Sequence, residues 1–581
     1  MMQRYIEKDF PVEQLNILAL REGNSKKPVY RMHKWWARRL GSVFRALLLS
    51  LFTSPDIPEG VLWSYFYHGD GIGDPIILDP FMGGGTTLVE ALRLGSRVIG
   101  VDINPVAWFI TKKEVEPVDL DALDAAFARL DRSVGNQIRY YYRTTCPSGH
   151  MADIMYAFWI KYVPCAECGK QVDLWPNLWV SRRPERWIVV CPQCDFIFSI
   201  SPHSTSATCP ECRHSFSPMK GNSGRGRFYC PTCGHQESHL QAVARLGSYL
   251  PARMYGVEYY CPTCNARGYK RADEADHRLL AEAIAEFERR KESLLFPRQT
   301  IPTDGRSDPR PVNHGYTHFW HLFNPRQLLC LSMLLEGILS EPDRNLRELL
   351  LLAFSDALDA NNMFCKYEVD YHKISLLFGL HAYHPIERPT ENNVWGTRYG
   401  RGTFIKCYKK VRRGKAYGNR PYERVFDGRR SMKVNTREKI EGTQAAFFND
   451  LLQGNGRALL RCADSSSLDF VPDRSVDAVV TDPPYFDNVM YSELADFFYV
   501  WLRLGLAQEY PWFRPEHSRR EEELVQNEKE GKGETDFVAG LTRIWRECHR
   551  TLKDDGVLAF TFHHNQVSAW AALGRSLLDA G

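Results

Sequence analysis

Short apolar runs bounded by turn residues lie near both ends of the chain and predict the strands of one buried sheet. They cover residues 76–78, 97–101, 476–480 and 557–562. Continuous apolar runs are typical of parallel strands that helices cover on both faces. The pattern therefore predicts an α/β fold with a Rossmann-like parallel sheet.

An acidic residue closes the second run and predicts where the sheet is interrupted. Asp102 follows that run, and the next comparable acidic turn is Asp464, 362 residues later. Successive strands of an open sheet are ordinarily separated by a few dozen residues. We therefore expect a large insertion between the second and third strands, with Asp464 at the tip of the third.

Helical periodicity is the main pattern outside these strands. Helices are predicted over residues 30–52, 119–142, 272–295, 325–339 and 345–360. The basic side of the first favours a core helix with one solvated face. The alternative is a wall of a ligand pocket, with Arg38 or Arg39 near a ligand carboxylate.

A glycine-rich loop follows the first strand and predicts a nucleotide-like ligand. Glycines let the backbone approach a ligand closely, and the loop reads Asp79-Pro80-Phe81-Met82-Gly83-Gly84-Gly85-Thr86. Asp102 lies 19 residues after Gly83, where an acidic side chain binds ribose hydroxyls. The Gly-Lys-Ser/Thr of a phosphate loop is missing, so ATP is not expected. A nicotinamide cofactor also fits this half of the sheet, but it gives no reason for the next motif.

The strand at residues 476–480 runs into Thr481-Asp482-Pro483-Pro484-Tyr485. The two prolines fix the backbone where ligands bind in open α/β sheets. An exocyclic base amine has two hydrogens, which the Asp482 carboxylate and the Pro483 carbonyl can accept, leaving the nitrogen lone pair free to attack a methyl sulfonium. Tyr485 offers a face on which a flipped base could stack. An ordinary strand-to-loop turn is the simpler interpretation of these five residues alone.

Composition sets limits on the class of protein. Of 581 residues, 44% are hydrophobic and 25% charged, as in ordinary globular proteins. No apolar run approaches the ~18 residues of a membrane span, and the N-terminus lacks an apolar signal core. We therefore expect a cytoplasmic protein. Because the net charge is only +4, any nucleic-acid surface must be local.

The spacing of the cysteines indicates metal rather than disulfides. Five Cys-x2-Cys pairs follow one Cys/His pair, which gives twelve ligands and, at four per ion, about three structural zinc sites. The simplest pairing is sequential, although spacing does not exclude an interleaved one. The sequential groups are Cys146, His150, Cys165 and Cys168; Cys191, Cys194, Cys209 and Cys212; and Cys230, Cys233, Cys261 and Cys264.

A basic region of loops is predicted between residues 398 and 433. It holds thirteen Lys or Arg against Glu423 and Asp427, with tyrosines and phenylalanines interleaved. A charge run is usually a solvated face. The aromatic interleaving favours a surface that grips phosphates and stacks on bases.

With these stretches assembled, the chain resembles the zinc-ribbon-containing adenine-specific DNA methylases, S-adenosylmethionine enzymes often encoded in phage-defence gene clusters. The resemblance implies cofactor contacts from Asp79, Phe81, Gly83, Gly85, Asp102 and Asp464, and base contacts from Asp482, Pro483 and Tyr485. The matching stretches are Trp35-Trp36-Ala37-Arg38-Arg39, the glycine loop, the cysteine pairs, Asn324-Pro325-Arg326-Gln327-Leu328, Glu391-Asn392-Asn393-Val394-Trp395-Gly396 and Asp482-Pro483-Pro484-Tyr485 through Phe498-Tyr499-Val500-Trp501-Leu502.

The sequence thus predicts a methyltransferase sheet interrupted by zinc ribbons and a helical, basic target-recognition region. Its expected domains are residues 1–118 (cofactor half), 119–270 (zinc ribbons), 271–440 (target recognition) and 441–581 (catalytic half). The expected reaction is methylation of adenine N6 in DNA, in a defence or restriction-modification-like system. Cytosine N4 in DNA, guanine N2 in RNA and a non-catalytic DNA-binding subunit remain alternatives. Similar proteins carry further sequence after this point, so we expect either that this chain is truncated or that a partner subunit completes the sheet.

Overall fold

The computed structural model describes residues 3–69, 71–427, 430–485, 490–518 and 521–581, which form two compact units. The first unit comprises Met1–Ala125, Asp343–Ala353 and Lys409–Gly581. The second comprises Ala126–Pro342 and Phe354–Tyr408. In the sequence, the second unit is thus an insertion within the first, and the finer division into four domains stays a prediction.

A five-stranded parallel sheet forms the centre of the first unit. Its strands are β1 (Ile76–Asp79), β2 (Arg97–Asp102), β3 (Ala458–Cys462), β4 (Val476–Thr481) and β5 (Leu552–Phe560). They lie in the order β3-β2-β1-β4-β5, so β2 and β3 are neighbours although residues 103–457 separate them. The predicted α/β fold with a parallel sheet is confirmed.

The order of the strands reverses between β1 and β4. Connections from β1 lead away on one side to β2 and β3, and β4 begins the other side with β5. In open α/β sheets this reversal opens a crevice outside the carboxyl ends of the strands. Asp79 ends β1 and Asp482 follows β4 directly, so both carboxylates lie at the crevice.

Helices cover both faces of the sheet. On one face, Leu78, Ile99 and Val479 share a core with Leu541 and Trp545 of the helix Glu534–Thr551. On the other, Gly100 lies so close to Leu88 that an added Cβ would be 2.4 Å from its side chain. Helices of the first unit are Tyr5–Lys8, Val12–Asn24, Gly41–Phe52, Glu59–His68, Thr86–Arg93, Pro105–Val115, Phe448–Gln453, Tyr491–Leu506, Glu534–Thr551 and Val567–Leu578, and it also holds the hairpin Tyr422–Asp427 and Arg430–Asn435.

The second unit is built on long antiparallel strands. Met151–Pro164 pairs with Ala252–Cys261, which also pairs with Ala266–Arg271. Shorter strands form small sheets around them, such as Trp179–Arg183, Arg186–Val190 and Ile197–Ile200. Its helices include His239–Leu246, Glu274–Arg290 and Pro325–Leu339, and three further helices cross the boundaries of the units, Leu120–Leu130, Arg344–Leu358 and Phe404–Asn419.

Two motifs of the second unit meet in a buried ion pair. Both nitrogens of an Arg326 fork donate to Glu391, at 2.8 and 2.7 Å, and neither side chain is exposed. Trp159 and Tyr142 donate to the same carboxylate at 2.9 and 3.0 Å. The two motifs are therefore structural, because they satisfy each other's buried charge.

Two secondary-structure predictions are wrong. Residues 32–40 are not part of a helix, which begins only at Gly41, and Ala37 has a φ of +51° that no helix accommodates. The region 398–433 is not a set of loops, since it contains the helix Phe404–Asn419 and the hairpin. Packing of apolar residues such as Val411, which is fully buried, outweighs the glycine and charge content there.

No helix within the described ranges is long and apolar enough to span a membrane.

A buried ion network ties the hairpin of the first unit to its N-terminal helices. Glu423, on the hairpin, pairs with Lys27 and with Arg93, each at 2.7 Å. Burial opposes the charge of Glu423, but these cations hold its pKa down at about 2. The network has balanced charges and consists of Lys27, Arg45, Arg93, Glu90, Glu423 and Glu438.

Replacing Glu423 should destabilise the first unit strongly. We expect Glu423→Gln to lower the thermal unfolding midpoint at pH 7, because removal of one partner from a buried network costs about 3–5 kcal/mol. Since the folded pKa of Glu423 is depressed, its contribution is present above pH 4.5 and is lost as the pH falls toward 2. Glu441→Gln is the control, because Glu441 is half exposed and pairs only with Lys439. Equal midpoints for both variants would contradict a stabilising network.

Candidate active site and metal centres

The glycine loop turns sharply from β1 into the helix Thr86–Arg93. Gly83 and Gly85 have φ values of +47° and +78°, which favour glycine. A Cβ on Gly85 would lie 2.8 Å from the hydroxyl of Thr111, and that hydroxyl donates to the Gly83 carbonyl at 2.9 Å. The loop backbone is therefore fixed in place and left bare on the side of the crevice.

Two carboxylates, Asp79 buried and Asp102 partly exposed, hold the loop against the strand ends. Asp79 accepts hydrogen bonds from the backbone of Phe81 and from Thr481, at 3.1 and 2.7 Å. Asp102 accepts from the backbone of Gly83 and Asn104, both at 2.8 Å. Burial raises the pKa of Asp79 to about 6 and that of Asp102 to about 7. Asp102 thus titrates near neutral pH.

Asp464 occupies the tip of β3, as the sequence predicts. Its carboxylate accepts from the backbone of Ser466 at 2.9 Å and from the hydroxyl of the same residue. The neighbouring Ser465 donates to the Pro80 carbonyl at 2.6 Å, which links this tip to the glycine loop.

The Asp482 carboxylate is held by three donors from three parts of the chain. Arg39 Nε donates to Oδ2 at 2.6 Å, while Tyr485 and Thr561 donate to Oδ1 at 2.8 and 2.5 Å. Burial raises the pKa of Asp482, although Arg39 and the two hydroxyls oppose the shift. The guanidinium of Arg39 also lies 4.6 Å from the Tyr485 ring centroid.

One cavity collects most of the predicted site residues. Its lining includes seven of the nine, namely Asp79, Phe81, Gly83, Asp102, Asp464, Asp482 and Pro483. Gly85 lies beneath the loop, and Tyr485 reaches the cavity through Asp482. Residues Phe486 to Val489, which follow Tyr485, lie outside the described residues.

Several lining residues are not among the site residues that the sequence predicts. Trp35 stacks on Tyr491 with ring centroids 5.8 Å apart, and Glu523 accepts a hydrogen bond from the backbone of Ser492 at 3.1 Å; all three of Trp35, Tyr491 and Glu523 line the cavity. The paired tryptophans of the Trp35-Trp36 motif were the one available signal. Glu523 lies in a polar stretch that gives none.

The two arginines of the Trp35-Trp36-Ala37-Arg38-Arg39 stretch have different partners. Arg38 is almost fully buried, pairs with Glu114 at 2.8 Å and donates to the Gly84 carbonyl. Arg39 is 30% exposed and pairs with Asp482. Arg38 therefore supports the glycine loop, and Arg39 pairs with the carboxylate of the Asp-Pro-Pro-Tyr motif.

Twelve cysteine and histidine side chains of the second unit gather in three groups. Within each group the four ligand atoms lie within 4.8 Å of one another, so each could hold a metal ion. The closest sulfurs, such as those of Cys191 and Cys212, are 3.6 Å apart, which is too far for a disulfide. The groups are Cys146, His150, Cys261 and Cys264; Cys165, Cys168, Cys230 and Cys233; and Cys191, Cys194, Cys209 and Cys212.

The sequential pairing is wrong for the first and third predicted groups. Met151–Pro164 runs antiparallel to Ala252–Cys261, with Asp153 opposite Tyr260. This pairing brings Cys146 and His150, before one strand, to Cys261 and Cys264, at the end of the other. Cys165 and Cys168, after the first strand, meet Cys230 and Cys233 instead, so the groups are nested. The local group from Cys191 to Cys212 is the one that the simple pairing predicts correctly.

Part of the predicted basic region is structural. Lys415 is buried and donates to the carbonyls of Lys113 and Glu114 at 2.9 and 3.2 Å, and burial lowers its pKa to about 7. Arg412 pairs with Asp124 at 2.7 Å. Lys415 and Arg412 therefore have structural partners within the first unit. Arg424 and Arg430 of the same basic region lie on the hairpin of that unit.

Comparisons with known proteins point to one family. Residues 70–113, which span the glycine loop, match a family model described as DNA methylase. The chain is 34% identical over 86 residues to the Type II methyltransferase M.MvaI of Kocuria varians, covering 15% of this chain and 19% of that protein. It is 39% identical over 69 residues to the Type II methyltransferase M.MjaII of Methanocaldococcus jannaschii, covering 12% of each chain.

The matches are local. The aligned part spans a fifth or less of the length of these curated relatives, and no solved structure gives a significant match. The matched segment nevertheless contains the loop and the two acidic residues that line the cavity. The chain is therefore similar to DNA methylases over the segment that carries this loop.

Proposed function

We propose that the protein is an S-adenosylmethionine-dependent DNA methyltransferase that modifies an exocyclic base amine, adenine N6. One observation carries the proposal: the glycine loop, Asp102, Asp464 and the Asp482-Pro483 pair line a single cavity. The cofactor side and the amine side of the reaction thus meet where the strand order reverses. The target base has to leave the DNA stack to reach such a cavity.

The cofactor side fits an adenosyl group. A carboxylate has about four acceptor positions, and two of those on Asp102 are taken by backbone donors. The other two are available for the ribose hydroxyls. Asp464, at the neighbouring strand tip, is assigned to the adenine end. When bound, S-adenosylmethionine supplies a methyl group on a positively charged sulfur.

The amine side explains why an aspartate precedes the prolines. Three of about four acceptor positions on Asp482 are taken by Arg39, Tyr485 and Thr561. The fourth can accept one amine hydrogen, and the Pro483 carbonyl, which accepts no hydrogen bond in the described chain, can accept the second. The nitrogen lone pair then points out of the base plane. The bound cofactor would supply the methyl group to this lone pair, and Asp482 is positioned to take the proton that the amine then releases.

The choice of adenine rests on the resemblance to adenine-specific methylases. Cytosine N4 presents the same two hydrogens, so only the product identifies the base. The defence role and a partner subunit at the β5 edge stay predictions.

We also propose that the three cysteine groups hold zinc. A zinc–sulfur distance of about 2.3 Å in a tetrahedron separates two thiolates by about 3.8 Å. The observed separations, such as 3.7 Å between Cys168 and Cys230 and 4.0 Å between Cys146 and Cys264, fit this geometry. Sites with four protein ligands leave no position for water, so their role is to stabilise the second unit.

Replacing Asp482 tests the reaction. With labelled S-adenosylmethionine, we expect label in N6-methyladenine of unmethylated DNA, and a loss of at least about 100-fold in kcat for Asp482→Ala. Cofactor affinity should stay unchanged, because Asp482 lies on the amine side. Asp554→Ala, at an exposed position, is the control. Label in N4-methylcytosine would reassign the base, label only in RNA would overturn the substrate, and full activity of Asp482→Ala would overturn the mechanism.

The raised pKa of Asp102 predicts pH-dependent cofactor binding. The ionised carboxylate accepts the ribose hydroxyls, so affinity should rise as the pH rises through about 7. Calorimetry with methylthioadenosine, which has the ribose but no titrating amino acid, isolates this group. Asp102→Asn should bind at least about tenfold more weakly, with a flat pH dependence. Asp74→Asn, at an exposed position, is the control. A pH-independent affinity of the wild type would contradict the assignment.

Metal analysis of paired variants distinguishes nested from sequential sites. The wild type should contain about three zinc ions per chain. In the nested arrangement, Cys146→Ser with Cys261→Ser removes ligands from one site and should cost one ion, whereas Cys146→Ser with Cys168→Ser should cost two. Sequential sites would reverse these two results. Native mass spectrometry provides the counts.

A further inference from the structure

A second concave site lies wholly within the second unit, and we call it the arginine pocket. It has a volume of about 290 Å³ and is lined by Arg183, Arg186, Arg267 and Tyr399, among others. None of these residues belongs to the cavity of the first unit or to a cysteine group.

Two hairpins and one loop build this pocket. Arg183 and Arg186 face each other as the last pair of the hairpin formed by Trp179–Arg183 and Arg186–Val190. Arg267 lies on Ala266–Arg271, the partner strand of Ala252–Cys261. Because the first hairpin leads into Cys191 and the second spans Cys261 and Cys264, each one is anchored at a cysteine group.

The pocket keeps a net positive charge. Its one acidic lining residue, Glu258, is fully buried, and its two oxygens are taken by Arg267 and by Tyr367, the latter at 2.7 Å. Arg183 and Arg186 are exposed, and within the described residues their side chains make no hydrogen bond or ion pair. Arg183 also interacts electrostatically with the Glu258 carboxylate, but the three arginines of the lining outnumber this single acid, and two of the guanidinium groups are exposed.

An aromatic ring completes the site. Tyr399 is 37% exposed, and the guanidinium groups of Arg267 and Arg398 lie 5.4 and 5.5 Å from its ring centroid. Arg398 is oriented by a hydrogen bond of 3.0 Å to Asn265, another lining residue. Two cations thus lie over the ring, and part of the Tyr399 surface is in solvent.

We propose that the arginine pocket binds a backbone phosphate of the substrate DNA, with Tyr399 against the adjoining sugar or base. Guanidinium forks match phosphate oxygens in charge and geometry, and a neighbouring aromatic ring matches a nucleotide rather than a free anion. The DNA part of the proposal rests on the proposed function. The pocket adds a contact for the nucleic-acid backbone outside the methyl-transfer cavity.

Binding of the full-length protein to a labelled DNA duplex tests the proposal. In fluorescence anisotropy between about 50 and 200 mM salt, Arg183→Ala with Arg186→Ala should raise Kd at least about tenfold and flatten the slope of log Kd against log salt by about 1–2. Tyr399→Ala should raise Kd without changing the slope. The control is Arg289→Ala, an exposed arginine of the same unit that pairs with Glu286. Affinity for methylthioadenosine should stay at the wild-type value in all of them.

Other outcomes would overturn the proposal. The first is a double variant whose Kd for DNA and salt slope equal those of the wild type. The second is a double variant that loses more affinity for RNA of the same sequence than for DNA. The third is binding of inorganic phosphate in the pocket that leaves the affinity for DNA unchanged. The zinc content and the thermal unfolding midpoint report whether the double alanine variant folds. If it does not fold, the double variant Arg183→Gln with Arg186→Gln is used in its place. Methyl transfer by the wild type is measured in parallel. If the wild type methylates DNA and the variants bind DNA with the wild-type affinity, only the proposed role of the arginine pocket is refuted. If the wild type transfers no methyl group, the proposed function is refuted.

Discussion

The parallel pairing of β1 with β4 organises the whole site, and the buried hydrogen bond between Thr481 and Asp79 depends on it. It joins the ends of β1 and β4, two parallel neighbours whose sequence positions are 402 residues apart. Around it, the glycine loop leaves β1 and the Asp482-Pro483 pair leaves β4. Any shift in the register of β1 against β4 would therefore move the glycine loop relative to the Asp482-Pro483 pair.

The parallel pairing of β2 with β3 explains how the fold tolerates a long insertion. The sheet requires only that β3 return beside β2, since loop closure entropy grows slowly with length. The inserted second unit then needs its own source of stability. It has the buried Arg326–Glu391 pair, long antiparallel strands and three groups of metal-binding residues. Nesting of two of these groups follows from the antiparallel strands, because residues at opposite ends of paired strands meet in reverse order.

Buried charge recurs in the first unit, in structural and in site residues. The network around Glu423 pairs every charge and keeps the pKa of that residue low. In the cavity, by contrast, burial raises the pKa values of Asp79, Asp102 and Asp482. In these three carboxylates burial outweighs the hydrogen bonds that oppose it, so the charged form is less favoured than in solution.

The sequence by itself determined the features that are local to one segment. It located all five strands, the glycine loop, Asp102, Asp464 and the Asp-Pro-Pro-Tyr turn, because each depends on neighbouring residues and on the short period of apolar positions. Tertiary structure decided which distant segments meet: Arg39 with Asp482, Cys146 with Cys261, and Arg183 with Tyr399 around one pocket. Sequence spacing carries no record of such contacts, since they depend on strand pairing across tens to hundreds of residues. Residues 32–40 likewise leave the helix that local periodicity predicts. Ala37 has a positive φ there, and the packing of this loop around the cavity outweighs helical periodicity.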